Sequence, residues 1–173
     1  MNLKTEKYYW KKGYKIIVGL DEVGRGPLSG PITAAAVIVK LKIKNKKAKI
    51  EIKDKKLKEI LKNTKDSKKL SEKQREEIFK LIQNCQNIKF AVSSVGEKTI
   101  DKINIENATK KAMRNCLNKI LPKRNSKNIL IMVDGNKIID KNIKIEQIAI
   151  VKGDDKIFSI ALASIIAKIT RDR

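Results

Sequence analysis

The sequence predicts an α/β fold, a central mixed β-sheet flanked by helices, and two observations predict it. Short apolar runs rich in β-branched residues alternate with longer segments whose apolar residues recur at helical spacing. Acidic residues stand where several of the short runs end, at the sheet edge where α/β proteins build their sites. At 173 residues the chain has room for one domain with a full-sized core.

Residues 1–13 are polar and aromatic and too short for a domain, so they read as a short N-terminal extension to a single unit over 14–173. Tyr14 to Leu20 is a β-rich run that stops at Asp21. Gly24, Gly26, Pro27, Gly30 and Pro31 then force a turn before a second strand, Ile32 to Val39. Residues 40–65 alternate Lys with apolar and acidic residues. Lys55 to Lys62 has helical spacing and the rest reads as a solvated loop. Ser71 with Gln74 three residues on is a capping-box signature opening a helix through Ile82. Phe90 to Val95 reads as a strand, and Asn104 to Leu121 as a helix stopped by Pro122. Ile129 to Val133 is continuously apolar, the pattern of a strand buried on both faces, and ends at Asp134-Gly135. Gln147 to Val151 is a further strand, and Asp155 to Asp172 a helix with a small, apolar middle.

Formal net charge is +22, which favours a polyanionic partner because every phosphate neutralised by Lys or Arg releases a condensed counterion. The basic residues are mostly Lys, and Ile and Asn are abundant too, as AT-rich coding imposes on any protein; the charge alone is evenly balanced between the two readings. Cys85 and Cys116 are far apart and the chain has no His, which argues against a structural zinc site and for two buried, reduced thiols. No run approaches the ~20 apolar residues needed to cross a bilayer, so a cytoplasmic protein with no membrane partner is expected.

Asp21 ends the first strand and Asp134 a central one; if the strands are neighbours, the two carboxylates converge. Glu22 would face away from Asp21 in a regular strand, but at the start of a glycine-rich turn the backbone can re-aim it. Ser164, Lys168 and Asp172 share a polar stripe, at i, i+4 and i+8, on an otherwise apolar helix. Carboxylates clustered without His or Cys are hard oxygen ligands suited to Mg²⁺ or Mn²⁺. Against this, an Asp before Gly is ordinarily a turn residue, and an Asp in a helix's last turn is ordinarily solvated. Gly24-Arg25-Gly26 offers backbone amides and a guanidinium beside the acids, where a sugar or phosphate can be read, though many tight turns look the same.

Taken together, GLDEVGRGPLSGPITAAAVIV at 19–39, DSKKLS at 66–71, NIENATKKAM at 104–113, VDGN at 133–136 and KGDDKIFSIALASIIAKITRDR at 152–173 resemble ribonuclease HII, the type 2 ribonuclease H. The resemblance runs collinearly from Gly19 to Arg173. It implies an RNase H-like fold and a four-acid site of Asp21, Glu22, Asp134 and Asp172 holding Mg²⁺ or Mn²⁺. It implies an endonuclease that cuts the RNA strand of RNA–DNA hybrids and nicks 5′ to ribonucleotides embedded in duplex DNA, leaving 5′-phosphate and 3′-hydroxyl ends. Gly24, Arg25 and Gly26 would recognise the ribonucleotide 2′-hydroxyl, while Lys68, Ser164 and Lys168 would help hold phosphates. A monomer acting in DNA replication and repair is expected.

Three features depart from that pattern. Residues 40–65 look longer and richer in Lys than the usual connection, which fits a DNA-contacting loop or a merely solvated one; the loop without function is favoured. Asn115-Cys116 replaces small apolar residues, a packing variation. The chain ends at Arg173, where the resemblance implies further sequence with a tyrosine that stacks on the junction sugar; Tyr8, Tyr9 and Tyr14 lie at the wrong end to supply it, so either part of a longer protein or a shortened protein with weakened junction specificity is expected. A non-catalytic nucleic-acid-binding relative is the alternative. The type 3 ribonuclease H ranks below both, because its extra N-terminal domain does not fit before Tyr14.

Overall fold

A computed structural model describes residues 1–26, 30–41, 52–64, 70–122 and 127–173. Eleven elements occur in order among them: α1 (Lys4–Lys11), β1 (Ile16–Val23), β2 (Ile32–Val39), α2 (Lys55–Asn63), α3 (Glu72–Gln83), β3 (Ile88–Val95), α4 (Glu97–Ile120), β4 (Ile129–Asp134), β5 (Glu146–Ile150), α5 (Gly153–Lys156) and α6 (Phe158–Asp172). The five strands form one mixed sheet in the order β3-β2-β1-β4-β5. β1 pairs antiparallel with β2 and parallel with β4, so the two central strands carry their chain ends to the same edge.

Strand alternation divides the core into two. Val18, Leu20, Ile131 and Val133 face α4, with Ala108, Ala112 and Leu117 on the helix side. Ile17, Leu130 and Met132 face α6, and this layer also takes in Leu3 and Trp10 of the N-terminal segment, Leu57 of α2 and Ile78 of α3. Each fully buried Leu, Ile or Phe contributes roughly 1.5–3 kcal/mol, so both faces are well anchored. The apolar run Ile129–Val133 of β4 is buried as its sequence predicts, and α3 carries the expected capping box between Ser71 and Gln74. Cys85 and Cys116 are both free and buried. Among the described residues no helix is long and apolar enough to cross a membrane.

The structure departs from the sequence expectations at several boundaries. β1 does not stop at Asp21: pairing of Asp21, Glu22 and Val23 with Ala35, Ala34 and Thr33 of β2 holds the backbone extended through both acids. Glu22 therefore belongs to the strand, not to the turn after it. The Asn104 helix begins where expected, with Asn104 Oδ1 accepting from the Asn107 amide, but residues 97–103 are also helical and Asn104 itself (φ 63°, ψ 166°) breaks the two apart. The final helix is likewise interrupted, at an extended Ile157 between α5 and α6.

The N-terminal segment is helical and contributes to the core. Glu6 of α1 is fully buried, and its Oε1 accepts the Ser159 amide at 2.9 Å, satisfying one of the N–H groups left over at the start of α6. Burial pushes this carboxyl above its ordinary range, while the Ser159 bond draws it back. Beneath that cap lies a close backbone contact. A Cβ on Gly19 of β1 would stand 2.4 Å from the Ser159 carbonyl carbon and 2.6 Å from the Ile160 nitrogen, so β1 and the first turn of α6 meet backbone to backbone. Gly19→Ala must push the helix off the strand, and we expect a loss on the order of 3 kcal/mol, read as a lowered denaturation midpoint.

Candidate active site

Two parallel strands bring the first pair of acids together. Leu20 of β1 is paired with Val133 of β4, so the next residues, Asp21 within β1 and Asp134 at the end of β4, stand side by side on the face covered by α6. Asp21 is 5% exposed; its Oδ1 accepts the Glu22 amide at 2.8 Å, and its carboxylate is also hydrogen-bonded by the Ser164 side chain of α6. Asp134 Oδ1 accepts the amides of Gly153 at 2.6 Å and Asp154 at 3.3 Å, tying the first turn of α5 to the end of β4. A Cβ on Gly153 would stand 3.2 Å from that oxygen, so a glycine there keeps the approach open. Asp154, 2% exposed, is the next residue along α5.

These groups line a cavity of about 400 Å³ together with Glu22, Arg75 and Lys168. Glu22 and Asp134 also border a second cavity of about 240 Å³ on the α4 side, lined by Arg25, Glu106 and Lys110. Glu22 thus takes the opposite direction to Asp21, as strand alternation requires, and stands at the rim between the two spaces. Its Oε1 lies 3.4 Å from Arg25 Nη1.

Electrostatically the acids crowd one another. Burial, then the neighbouring charges of Glu22 and Asp134, hold the Asp21 carboxyl well above the usual carboxylate range, against the pull of Ser164 and the Glu22 amide. Burial also raises Glu22, offset by Arg25 and reinforced by Asp134. Among the described residues no three His, Cys, Asp or Glu side chains form a ready-made metal cluster: Glu22 turns to Arg25, and Asp134 Oδ1 to the α5 amides.

The ribonuclease HII family profile matches residues 18–173. The chain is 45% identical over 97% of its length to ribonuclease HII of Acetivibrio thermocellus, and 42% identical over 98% to that of Caldicellulosiruptor saccharolyticus. The chain belongs to the ribonuclease HII family. It spans 57% of the length of the Acetivibrio relative and 72% of the Caldicellulosiruptor one. The fold agrees: the crystal structure of ribonuclease H2 from Pyrococcus horikoshii superposes with a TM-score of 0.67 at 28% identity, covering 91% of this chain and 72% of that one. The mixed sheet flanked by helices is the RNase H-like fold.

Within this ribonuclease HII fold, not every residue singled out from sequence meets at the cavity. Asp21, Glu22, Asp134, Ser164 and Lys168 do. Asp172 does not line it: its side chain is 40% exposed and its Oδ1 accepts from Lys168 Nζ at 3.0 Å. The polar stripe of Ser164, Lys168 and Asp172 exists as expected, but each further four residues advance about 6 Å along the helix, carrying Asp172 past the cavity. Asp154 occupies the place beside the acids that the sequence pattern assigns to Asp172. Its signal is present in KGDD, an acid pair just beyond a strand, but the helical stripe outranks it. Arg75 is not foreseen either, since nothing in its own segment points to a site. Gly24 has φ +109°, no described residue lies within 4 Å of where a Cβ on Gly26 would stand, and Arg25 is half-exposed. Lys68 lies outside the described residues.

The raised Asp21 carboxyl fixes a pH dependence. Its contribution to stability is fully present below the ordinary carboxylate range and is lost as pH rises through its elevated folded value. Asp21→Asn is therefore expected to melt higher than the parent in chelator-treated protein, by roughly 2–4 °C for each kcal/mol recovered, with a gap that widens from pH 4 to pH 8.

Proposed function

We propose that this chain is a divalent-metal endonuclease that hydrolyses the RNA strand of RNA–DNA hybrids and nicks 5′ to ribonucleotides embedded in duplex DNA, leaving 5′-phosphate and 3′-hydroxyl ends. The observation that carries the proposal is the convergence of Asp21, Glu22, Asp134 and Asp154 on one cavity at the ends of β1 and β4. Family membership supports the same reaction.

The donor set suits Mg²⁺ or Mn²⁺: carboxylate oxygens without His or thiolate, on an edge where Asp21 and Glu22 are raised by burial and by neighbouring acids. A cation would offset that crowding. When bound, paired divalent ions supply activation of the attacking water and stabilisation of the leaving oxygen in phosphodiester hydrolysis. Asp21, Glu22, Asp134 and Asp154 are proposed to hold them, with Asp154 in place of Asp172. Asp172 holds the Lys168 ammonium at the cavity wall, where that cation can meet a phosphate. Ser164 orients Asp21. Gly24, Arg25 and Gly26, beside Glu22, are proposed to read a ribose hydroxyl with backbone and guanidinium donors. Lys68 remains a proposed phosphate contact on the strength of the family motif. The excess of Lys over acidic residues suits a nucleic-acid duplex.

Duplex DNA carrying one ribonucleotide, incubated with and without Mg²⁺ or Mn²⁺, tests the reaction. A divalent-dependent nick 5′ to the ribonucleotide is expected. Asp21→Asn and Asp154→Asn should each lower cleavage by on the order of 10³-fold with hybrid binding retained, whereas Asp172→Asn should cost on the order of tenfold. Salt-sensitive binding without divalent-dependent product would instead mark a non-catalytic binding protein, and equal losses in Asp154→Asn and Asp172→Asn would overturn the assignment of the fourth acid.

A further inference from the structure

The connection from β1 to β2 begins at Gly24 (φ +109°) and closes at Gly30 (φ +107°), both in the left-handed region that a side chain disfavours. Conformation is not the whole reason for glycine there. A Cβ on Gly24 would stand 2.6 Å from the Pro31 carbonyl oxygen and 3.0 Å from Arg171 Nε, and one on Gly30 would stand 3.0 Å from Arg171 Nη2. Arg171 comes from the last turn of α6, and its Nε donates to the Pro31 carbonyl at 3.1 Å. The guanidinium therefore lies across both ends of the connection, in space that two missing side chains leave open. From the opposite face of the sheet, Glu97 in the first turn of α4 accepts the Gly30 amide at 2.5 Å.

We propose that Arg171 is a positioning residue for ribonucleotide discrimination: it clamps Gly24 to Pro31 and so fixes where the Gly24-Arg25-Gly26 amides and guanidinium present themselves. This rests on the reading of that turn as the sensor of the ribose hydroxyl. The same helix carries Ser164 onto Asp21, so α6 sets the spacing between the reacting carboxylates and the sensing turn. A planar fork is required, because one edge must meet the carbonyl while another group passes Gly30; a lysine ammonium supplies a single point. Loosening the clamp displaces the turn but leaves Asp21, Asp134 and Asp154 in place. Misplacement by about 1 Å can cost on the order of 10²-fold where geometry decides the rate.

Two measurements on Arg171→Ala and Arg171→Lys test this. In amide hydrogen exchange, Gly30, whose amide Glu97 accepts, should exchange at least about tenfold faster in both variants, while β1 from Ile17 to Leu20 stays as protected as in the parent. In cleavage, kcat/KM on duplex DNA with a single ribonucleotide should fall by on the order of 10- to 100-fold more than on a long RNA–DNA hybrid, with Arg171→Lys giving a smaller loss than Arg171→Ala. Unchanged exchange at the turn, equal losses on both substrates, or full activity of Arg171→Lys would each overturn the proposal. Parent protein that cuts neither substrate would overturn the functional reading beneath it, and the exchange data would then decide the clamp alone.

Discussion

The contact on which the rest of the structure depends is the missing side chain at Gly19. With nothing between them, β1 and the start of α6 touch through their backbones, and the helix axis is fixed against the central strand. Everything α6 delivers depends on that seat. Ser164 reaches Asp21 one side-chain layer further along the strand, Lys168 reaches the cavity wall, and Arg171 reaches the Pro31 carbonyl. Helix and strand are rigid rods, so an error at Gly19 would be carried through every later contact. Glu6 reinforces the seat from outside by taking the Ser159 amide, which gives the N-terminal helix a role in placing a site it never touches.

A second constraint acts one residue further along the same strand. Parallel pairing of β1 with β4 in the register Leu20 to Val133 brings Asp21 and Asp134 side by side without help from any loop. The Asp134 carboxylate then organises the start of α5, since its bonds to the Gly153 and Asp154 amides hold that short helix against the strand end. One acid thereby positions another. Such a cluster is unfavourable in itself, because burial and mutual repulsion both oppose ionisation of Asp21. A rigid frame that retains this arrangement is the expected signature of a site whose charge is balanced by a ligand, and it is why the cavity supports the metal reading.

Much of the fold is legible in the sequence because its signals are local. The apolar run of β4, the β-rich run that leads into Asp21, and the Ser71–Gln74 cap each depend on a few adjacent residues. Asp21 and Asp134 are legible for the same reason, since each follows directly on an apolar run whose place in space is set once its neighbour is known. Glu22 is harder to place: the turn signals begin at Gly24, but pairing with β2 keeps the backbone extended to Val23. Helical periodicity fails differently. It correctly groups Ser164, Lys168 and Asp172 on one stripe, but a stripe does not say how far along the axis the cavity extends, and Asp172 falls beyond it. Asp154 cannot be ranked above it without the distance between β4 and α5, which no local pattern encodes.

The same distinction bears on the glycine turn. Read alone, Gly24-Arg25-Gly26 is indistinguishable from many tight turns, because glycine spacing reports backbone freedom and nothing of what occupies the space set free. In the structure the space beside Gly24 and Gly30 holds a guanidinium, while none of the described residues comes near the place a Cβ on Gly26 would take. These are different demands. The outer glycines accommodate a part of the protein that fixes the turn, and the inner one leaves room for a ligand to approach the backbone closely. A turn that must be both rigid and accessible divides the two requirements between residues, and the side chain supplying the rigidity comes from the helix that also orients Asp21. Sensing and chemistry are thereby held to one reference element, so that a proposed ribose hydroxyl and its neighbouring phosphate are measured from the same point.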